Sequence, residues 1–227
     1  MTRLILIRHG VTKWNRERRY CGHRDIGLSN EGKSQVKRLF NRLGRFRFDK
    51  VYCSSRKRAM QTARMLFKEA RIIPDRGLRE INFGILEGLK HEEIMQKYAD
   101  TYKKWLKDSF KNNIPKAEPM NVFKKRVENT LLNIIRSNSG KTIAVVCHGG
   151  VIGMFVNGIL KSKNFWRCVP SPASVTMVEY EKGKPRLKKF NDTTHLKVHH
   201  VRKTGLSIGA NNEEDDLYFR GRAKGYA

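Results

Sequence analysis

Leu4-Ile5-Leu6-Ile7-Arg8-His9-Gly10 begins as a short run of β-compatible apolar residues and stops at a charged corner closed by glycine. Much later, Thr142-Ile143-Ala144-Val145-Val146-Cys147-His148-Gly149-Gly150 repeats that build and leads straight into a helical segment. A strand apolar at successive positions, without alternation, suits a sheet covered on both faces. The two stretches therefore set the class as α/β, and each brings a histidine to the end of a strand.

Working outward, Ser29 can cap a helix carrying Val36, Leu39, Phe40 and Leu43 at helical spacing, which Gly44 stops. Val51-Tyr52-Cys53 reads as another strand, and Ser54 or Ser55 can cap a helix with Ala59, Ala63, Leu66 and Phe67 on its inner face. Ile72-Ile73 precedes an irregular stretch through Gly77, Gly84 and Gly88. A polar helical region from about His91 to Phe110 follows, and residues of about 89–118 are expected to form a small helical cap insertion. Beyond Pro119 lies an amphipathic helix with Val122, Phe123, Val127, Leu131, Ile134 and Ile135 as its stripe, ending by Gly140. Val175–Tyr180 and Arg186–Phe190 suit a closing hairpin. One domain over 1–204 is expected, with 205–227 as a mobile tail because that segment has few apolar residues and an acidic run, Glu213 to Asp216.

Composition narrows the classes further. The 227 residues suffice for one well-buried core, and 39% hydrophobic residues describe a folded domain. With no signal-like start and no long apolar span, a cytoplasmic protein with no membrane association is expected. Four scattered cysteines give neither a disulfide framework nor a zinc ribbon. The net charge of +27 favours anionic ligands, but Lys and Arg are spread in short clusters and no nucleic-acid motif accompanies them. A generally basic solvated surface is expected in place of a nucleic-acid interface. Cys147 suits packing better than nucleophilic chemistry. Asp192, His195, His199 and His200 match no metal-ligand pattern, so no metal and no cofactor are expected.

An isolated Arg-His-Gly triplet has little specificity. Here Arg8-His9-Gly10-x-Thr12-x-x-Asn15 is followed by Gly22, Asp25, Leu28 and Gly32. Then come Ser54-Ser55 with Arg58-Ala59-x-Gln61-Thr62-Ala63, Leu78-Arg79-Glu80 with Phe83-Gly84 and Glu87-Gly88, and His148-Gly149. This constellation, spanning about residues 3 to 196, resembles the histidine phosphatase superfamily, also called phosphoglycerate mutase-like. The compact layout is most similar to the branch containing alpha-ribazole and broad-specificity phosphatases. The resemblance implies a three-layer α/β/α sandwich with a mostly parallel sheet, and metal-independent hydrolysis of small-molecule phosphate monoesters through a phosphohistidine.

By the same resemblance His9 matches the nucleophile, Arg8 and Arg58 the phosphate-clamping arginines, His148 a second phosphate-binding histidine and Glu80 the proton donor. Asn15 and Gly22 match secondary phosphate-loop positions, and Gly149 follows the second histidine where a backbone amide can approach the bound anion, so all three are expected to bind substrate. The chain departs from the family at Ala117-Glu118-Pro119, where Gly-Glu-Ser is usual and only Glu118 matches. Lys13, Arg16, Arg18, Arg19 and Arg24 crowd one loop, which leads to the expectation of further anionic groups on the substrate. A mutase using the same nucleophile is the nearest alternative, although the Glu80 to His148 interval is short for one. A non-catalytic binding module fits less well, because binding alone requires no nucleophile paired with an acid.

Overall fold

The computed structural model describes residues 1–44, 46–162 and 164–197. Its centre is one six-stranded sheet in the order β3-β2-β4-β1-β5-β6. β1 (Thr2–Arg8), β2 (Lys50–Ser54), β3 (Ile72–Asp75) and β4 (Thr142–Cys147) run parallel. β5 (Val175–Glu181) and β6 (Lys184–Asp192) add an antiparallel edge. Their two-residue turn, Lys182-Gly183, has positive φ at both positions, the geometry that matches strand twist in a tight hairpin.

Alternate residues of the central strands feed two separate cores. Leu4, Leu6, Ile143 and Val145 pack with α5 (Met120–Arg136) and α6 (Gly149–Leu160). Ile5, Ile7, Ala144 and Val146 pack with α2 (Asn30–Leu43) and α3 (Lys57–Leu66). This is the expected three-layer α/β/α sandwich, and it explains why residues 4–7 of β1 and 143–147 of β4 are apolar at successive positions. A third cluster, built on Tyr20, Leu86, Ile94, Tyr102 and Trp105, joins the loop around the short helix α1 (Lys13–Arg16) to α4 (His91–Lys107), which kinks at Tyr98. No helix among the described residues is long and apolar enough to cross a membrane.

Several local expectations change. Ser29 caps α2 by accepting from the Gly32 amide at 3.1 Å, but Phe40 and Val122 leave their expected apolar stripes and are 45% and 51% exposed. The polar helix ends at Lys107, short of Phe110. Neither Ser54 nor Ser55 caps α3. The Lys57 amide is taken instead by the Asp25 carboxylate at 2.6 Å, a cap supplied from a remote loop. Asp192 is ion-paired with Lys189 (2.9 Å) and Arg42 (3.3 Å), which occupies the carboxylate. His199, His200 and the 205–227 segment lie outside the described residues.

Candidate active site

β1 and β4 are neighbours in register, Arg8 opposite Cys147, so their two terminal histidines emerge side by side. The His9 and His148 ring centroids are 5.2 Å apart. His9 is fixed by its own backbone as well: its amide donates to Cys147 O at 3.1 Å and its carbonyl accepts from Ala173 N at 3.0 Å. Both rings are buried.

The His9 ring faces two different partners. Nδ1 lies 2.8 Å from the Gly10 carbonyl, which can only accept, so the ring proton sits on Nδ1 and Nε2 keeps its lone pair. Arg58 Nε donates to that Nε2 at 3.1 Å. Burial, then the charges of Arg58 and Arg8, hold the His9 pKa well below its ordinary value, so the ring is neutral at neutral pH. Burial likewise lowers His148, with Arg58 the next cause. His148 Nε2 pairs with Ser54 Oγ at 2.7 Å, whereas its Nδ1 is buried with no hydrogen-bond partner.

Arg58, on the first turn of α3, is almost wholly buried and anchored by backbone carbonyls: Nη1 donates to Arg24 O at 3.0 Å and Nη2 to Gly22 O at 2.8 Å. Its fork is thus largely committed to the 21–24 loop, not open on two sides as a clamp would be. Arg8 reaches the Pro170 carbonyl through Nη1. Gly149, the first residue of α6, lets Arg8 pass close by; a Cβ there would stand 3.0 Å from Arg8 Cζ. Gly22 serves packing, since a Cβ would meet Ile81 O at 2.1 Å. Asn15 forms a capping box with Thr12, whose amide donates to Asn15 Oδ1 at 3.0 Å, so that oxygen is used locally.

Glu80 comes from the opposite wall and its carboxylate is buried against the N-terminus of α6. Oε2 accepts from Gly150 N at 2.9 Å and Oε1 from Ile81 N at 3.0 Å. Burial raises its pKa, while those two amides and the charges of Arg58 and Arg8 pull the other way; the net direction is upward. Sequence reasoning missed Gly150, where any Cβ would lie 2.2 Å from Glu80 Oε1. It also missed Arg126. This guanidinium is locked to Glu118 at 2.8 and 2.6 Å and donates to the carbonyls of Gly77 and Arg79, both at 2.8 Å, which fixes the segment bearing Glu80. Glu118 thereby gains a structural explanation.

The structure brings His9, Arg8, Arg58, Glu80 and His148 to one rim of the sheet, where parallel strands end and loop amides converge. Among the described residues no group of three or more His, Cys, Asp or Glu could hold a metal ion. Fold and site define an α/β enzyme built around a buried pair of neutral imidazoles among arginines. A family model, "Histidine phosphatase superfamily (branch 1)", matches residues 4–193, and the chain belongs to that superfamily.

Several relatives carry phosphatase names, and one, of Arabidopsis thaliana, is named phosphoglycerate mutase-like protein 4. Phosphoserine phosphatase 1 of Hydrogenobacter thermophilus is 30% identical over 200 residues, covering 86% of this chain and 95% of the relative. Adenosylcobalamin/alpha-ribazole phosphatase of Escherichia coli is 35% identical over 159 residues, covering 68% and 77%. A solved phosphoserine phosphatase from Entamoeba histolytica, in complex with 3-phosphoglyceric acid, superposes with a TM-score of 0.78 at 31% identity, covering 87% of this chain and all of that one.

Proposed function

We propose that the chain is a phosphatase that hydrolyses small-molecule phosphate monoesters by way of a phosphohistidine on His9. The observation that carries this reading is the wiring of the His9 ring: with its proton held on Nδ1 by Gly10 O, Nε2 presents a lone pair at the charged end of the site. In the first step Nε2 exchanges its hydrogen bond from Arg58 Nε for a bond to phosphorus, the P–O ester bond breaks, and the Glu80 carboxyl protonates the departing alcohol oxygen. In the second step the resulting Glu80 carboxylate takes a proton from water, whose oxygen bonds to phosphorus as the P–Nε2 bond breaks. Arg8 and the partnerless Nδ1 edge of His148 supply donors for the phosphoryl oxygens, and Arg58 holds the nucleophile. No metal enters this scheme.

Among the substrates that the relatives' names suggest, phosphoserine and alpha-ribazole phosphate differ chiefly in the alcohol, so a panel of monoesters with released phosphate as readout defines the natural class. His9→Ala is expected to abolish turnover and the acid-labile phosphoenzyme while melting like the parent. Undiminished turnover by that variant overturns the mechanism. Isomerised phosphoglycerate appearing in place of free phosphate would make the chain a mutase.

A further inference from the structure

The expectation of extra anionic groups began with the 13–24 loop, but the structure accounts for most of that loop's charge internally. Lys13 pairs with Glu17 (3.6 Å) and Arg16 with Glu31 (2.9 Å). Arg19 pairs with Glu17 (2.8 Å) and Glu93 (3.0 Å), tying the loop to α4. Two further cations lie outside that loop. Arg56 and Arg79, both half-buried, form no ion pair among the described residues.

Their placement follows from three consecutive residues at the end of β2. Ser54 bonds the His148 ring, Ser55 Oγ accepts from Arg79 Nε at 2.7 Å, and Arg56 follows directly, its own amide 3.4 Å from Ser54 Oγ. Arg79 is the residue before Glu80, the group that faces the departing alcohol in the reading above. The Arg56 Nε is buried with no hydrogen-bond partner. Burial and the like charge of Arg79 lower the Arg56 pKa, the mark of a cation lacking compensation. The acids whose charge reaches Arg56, Asp25 and Glu87, are already committed to backbone amides. Asp25 holds Lys57 N, while Glu87 accepts from His23 N (2.6 Å), Phe83 N (3.2 Å) and Arg24 N (2.8 Å). Glu87 also lines an open depression together with Arg24, Asn82 and Lys116.

Two half-buried guanidinium groups without a carboxylate partner carry a desolvation cost that an anion would offset. We infer that Arg56 and Arg79 form a subsite for an acidic group on the alcohol half of the substrate, so that the preferred esters are those whose alcohol bears a carboxylate or a second phosphate. The inference rests on the phosphatase reading, because the phosphoryl end at His9 is what places the alcohol beside Glu80 and Arg79.

Matched esters of one three-carbon alcohol test it on the full chain: propyl phosphate, 3-phosphonooxypropanoate and propane-1,3-diyl bisphosphate. The parent protein is expected to show a kcat/KM for the better acidic ester at least about tenfold above that for propyl phosphate, the scale of one charge-assisted hydrogen bond. Arg56→Gln should erase most of that ratio, Arg56→Lys should keep part of it, and Arg56→Glu should reverse it. Whichever acid loses more on Arg56→Gln is the kind that the subsite takes. Equal turnover of all three esters by the parent, or a preference untouched in both Arg56→Gln and Arg79→Gln, overturns the subsite. Calorimetric binding of the same esters to His9→Ala, with and without Arg56→Gln, reads the affinity ratio even if no ester is turned over. A failure of the phosphatase reading is thus separated from a failure of this one.

Discussion

Arg8-His9-Gly10 and Cys147-His148-Gly149 are two strand ends of nearly the same make, lying side by side, yet their rings are wired in opposite senses. His9 gives its Nδ1 proton to a carbonyl one residue away and turns Nε2 toward Arg58. His148 uses Nε2 on Ser54, from the next strand over, and leaves Nδ1 without a partner. A His-Gly corner alone therefore specifies no role. The Gly10 carbonyl leaves the lone pair on Nε2 of His9, whereas the partner of His148 is a hydroxyl on the neighbouring strand that can give or accept a proton, and in the reading above one ring suits attack and the other suits holding oxygens.

The strongest way to break this comparison is His148→Asn beside the His9 variant already described. Loss of one donor to the developing charge should lower kcat about 10²- to 10³-fold while phosphoenzyme still forms on His9. Complete absence of phosphoenzyme in rapid-quench labelling would mean that the two rings are not divided in this way. A smaller effect is expected from the glycines after His148. Gly150→Ala pushes a methyl group into Glu80 and should reduce kcat about tenfold or more, because acid–base catalysis contributes about 10²- to 10⁴-fold. The loss should shrink for 4-nitrophenyl phosphate, whose leaving group scarcely needs a proton. Gly149→Ala meets only Arg8 and Val169 at 3.0 Å and should cost less, with the change mainly in KM. Equal losses on both esters for Gly150→Ala would remove the argument from Glu80.

The gentlest test concerns stability. Both rings have folded-state pKa values below the ordinary one, so protons bind more readily to the unfolded chain. Stability should be fully present above about pH 6.5 and fall as pH drops below it. The expected slope is about 1.4 kcal/mol per pH unit for each ring, until the folded-state values are reached. Unfolding free energies from urea titrations between pH 7 and pH 5 should show this trend, with a smaller slope in His148→Asn; an unchanged slope in that variant would show that burial does not hold His148 neutral.

Much of the fold was legible because β1 and β4 are short and apolar at successive positions through their centres, and because α2, α3 and α5 carry their core residues at helical spacing. The motif spacing likewise picked out the five residues that the structure gathers at one rim. What stayed hidden is non-local. Ser54 and Ser55 look like local caps, yet each is claimed by a side chain far along the chain, while Asp25 caps α3 from a loop. Gly150 and Arg126 matter through what they hold, the carboxylate of Glu80 and the backbone beside it, and nothing in their local sequence signals that. Arg58 and Asn15 were expected as site positions from the resemblance, but their anchoring to carbonyls and to Thr12 emerges only from packing.

The pairing of β1 with β4 also bears on how the molecule assembles. It joins β1 to a strand far later in the sequence, with β2 and β3 lying between them in the chain yet placed outside the pair. Such a contact closes a long loop and is among the slower events in folding. Recovery of phosphatase activity during refolding would therefore serve as a clock for this last, distant pairing, whereas helix signals would return earlier.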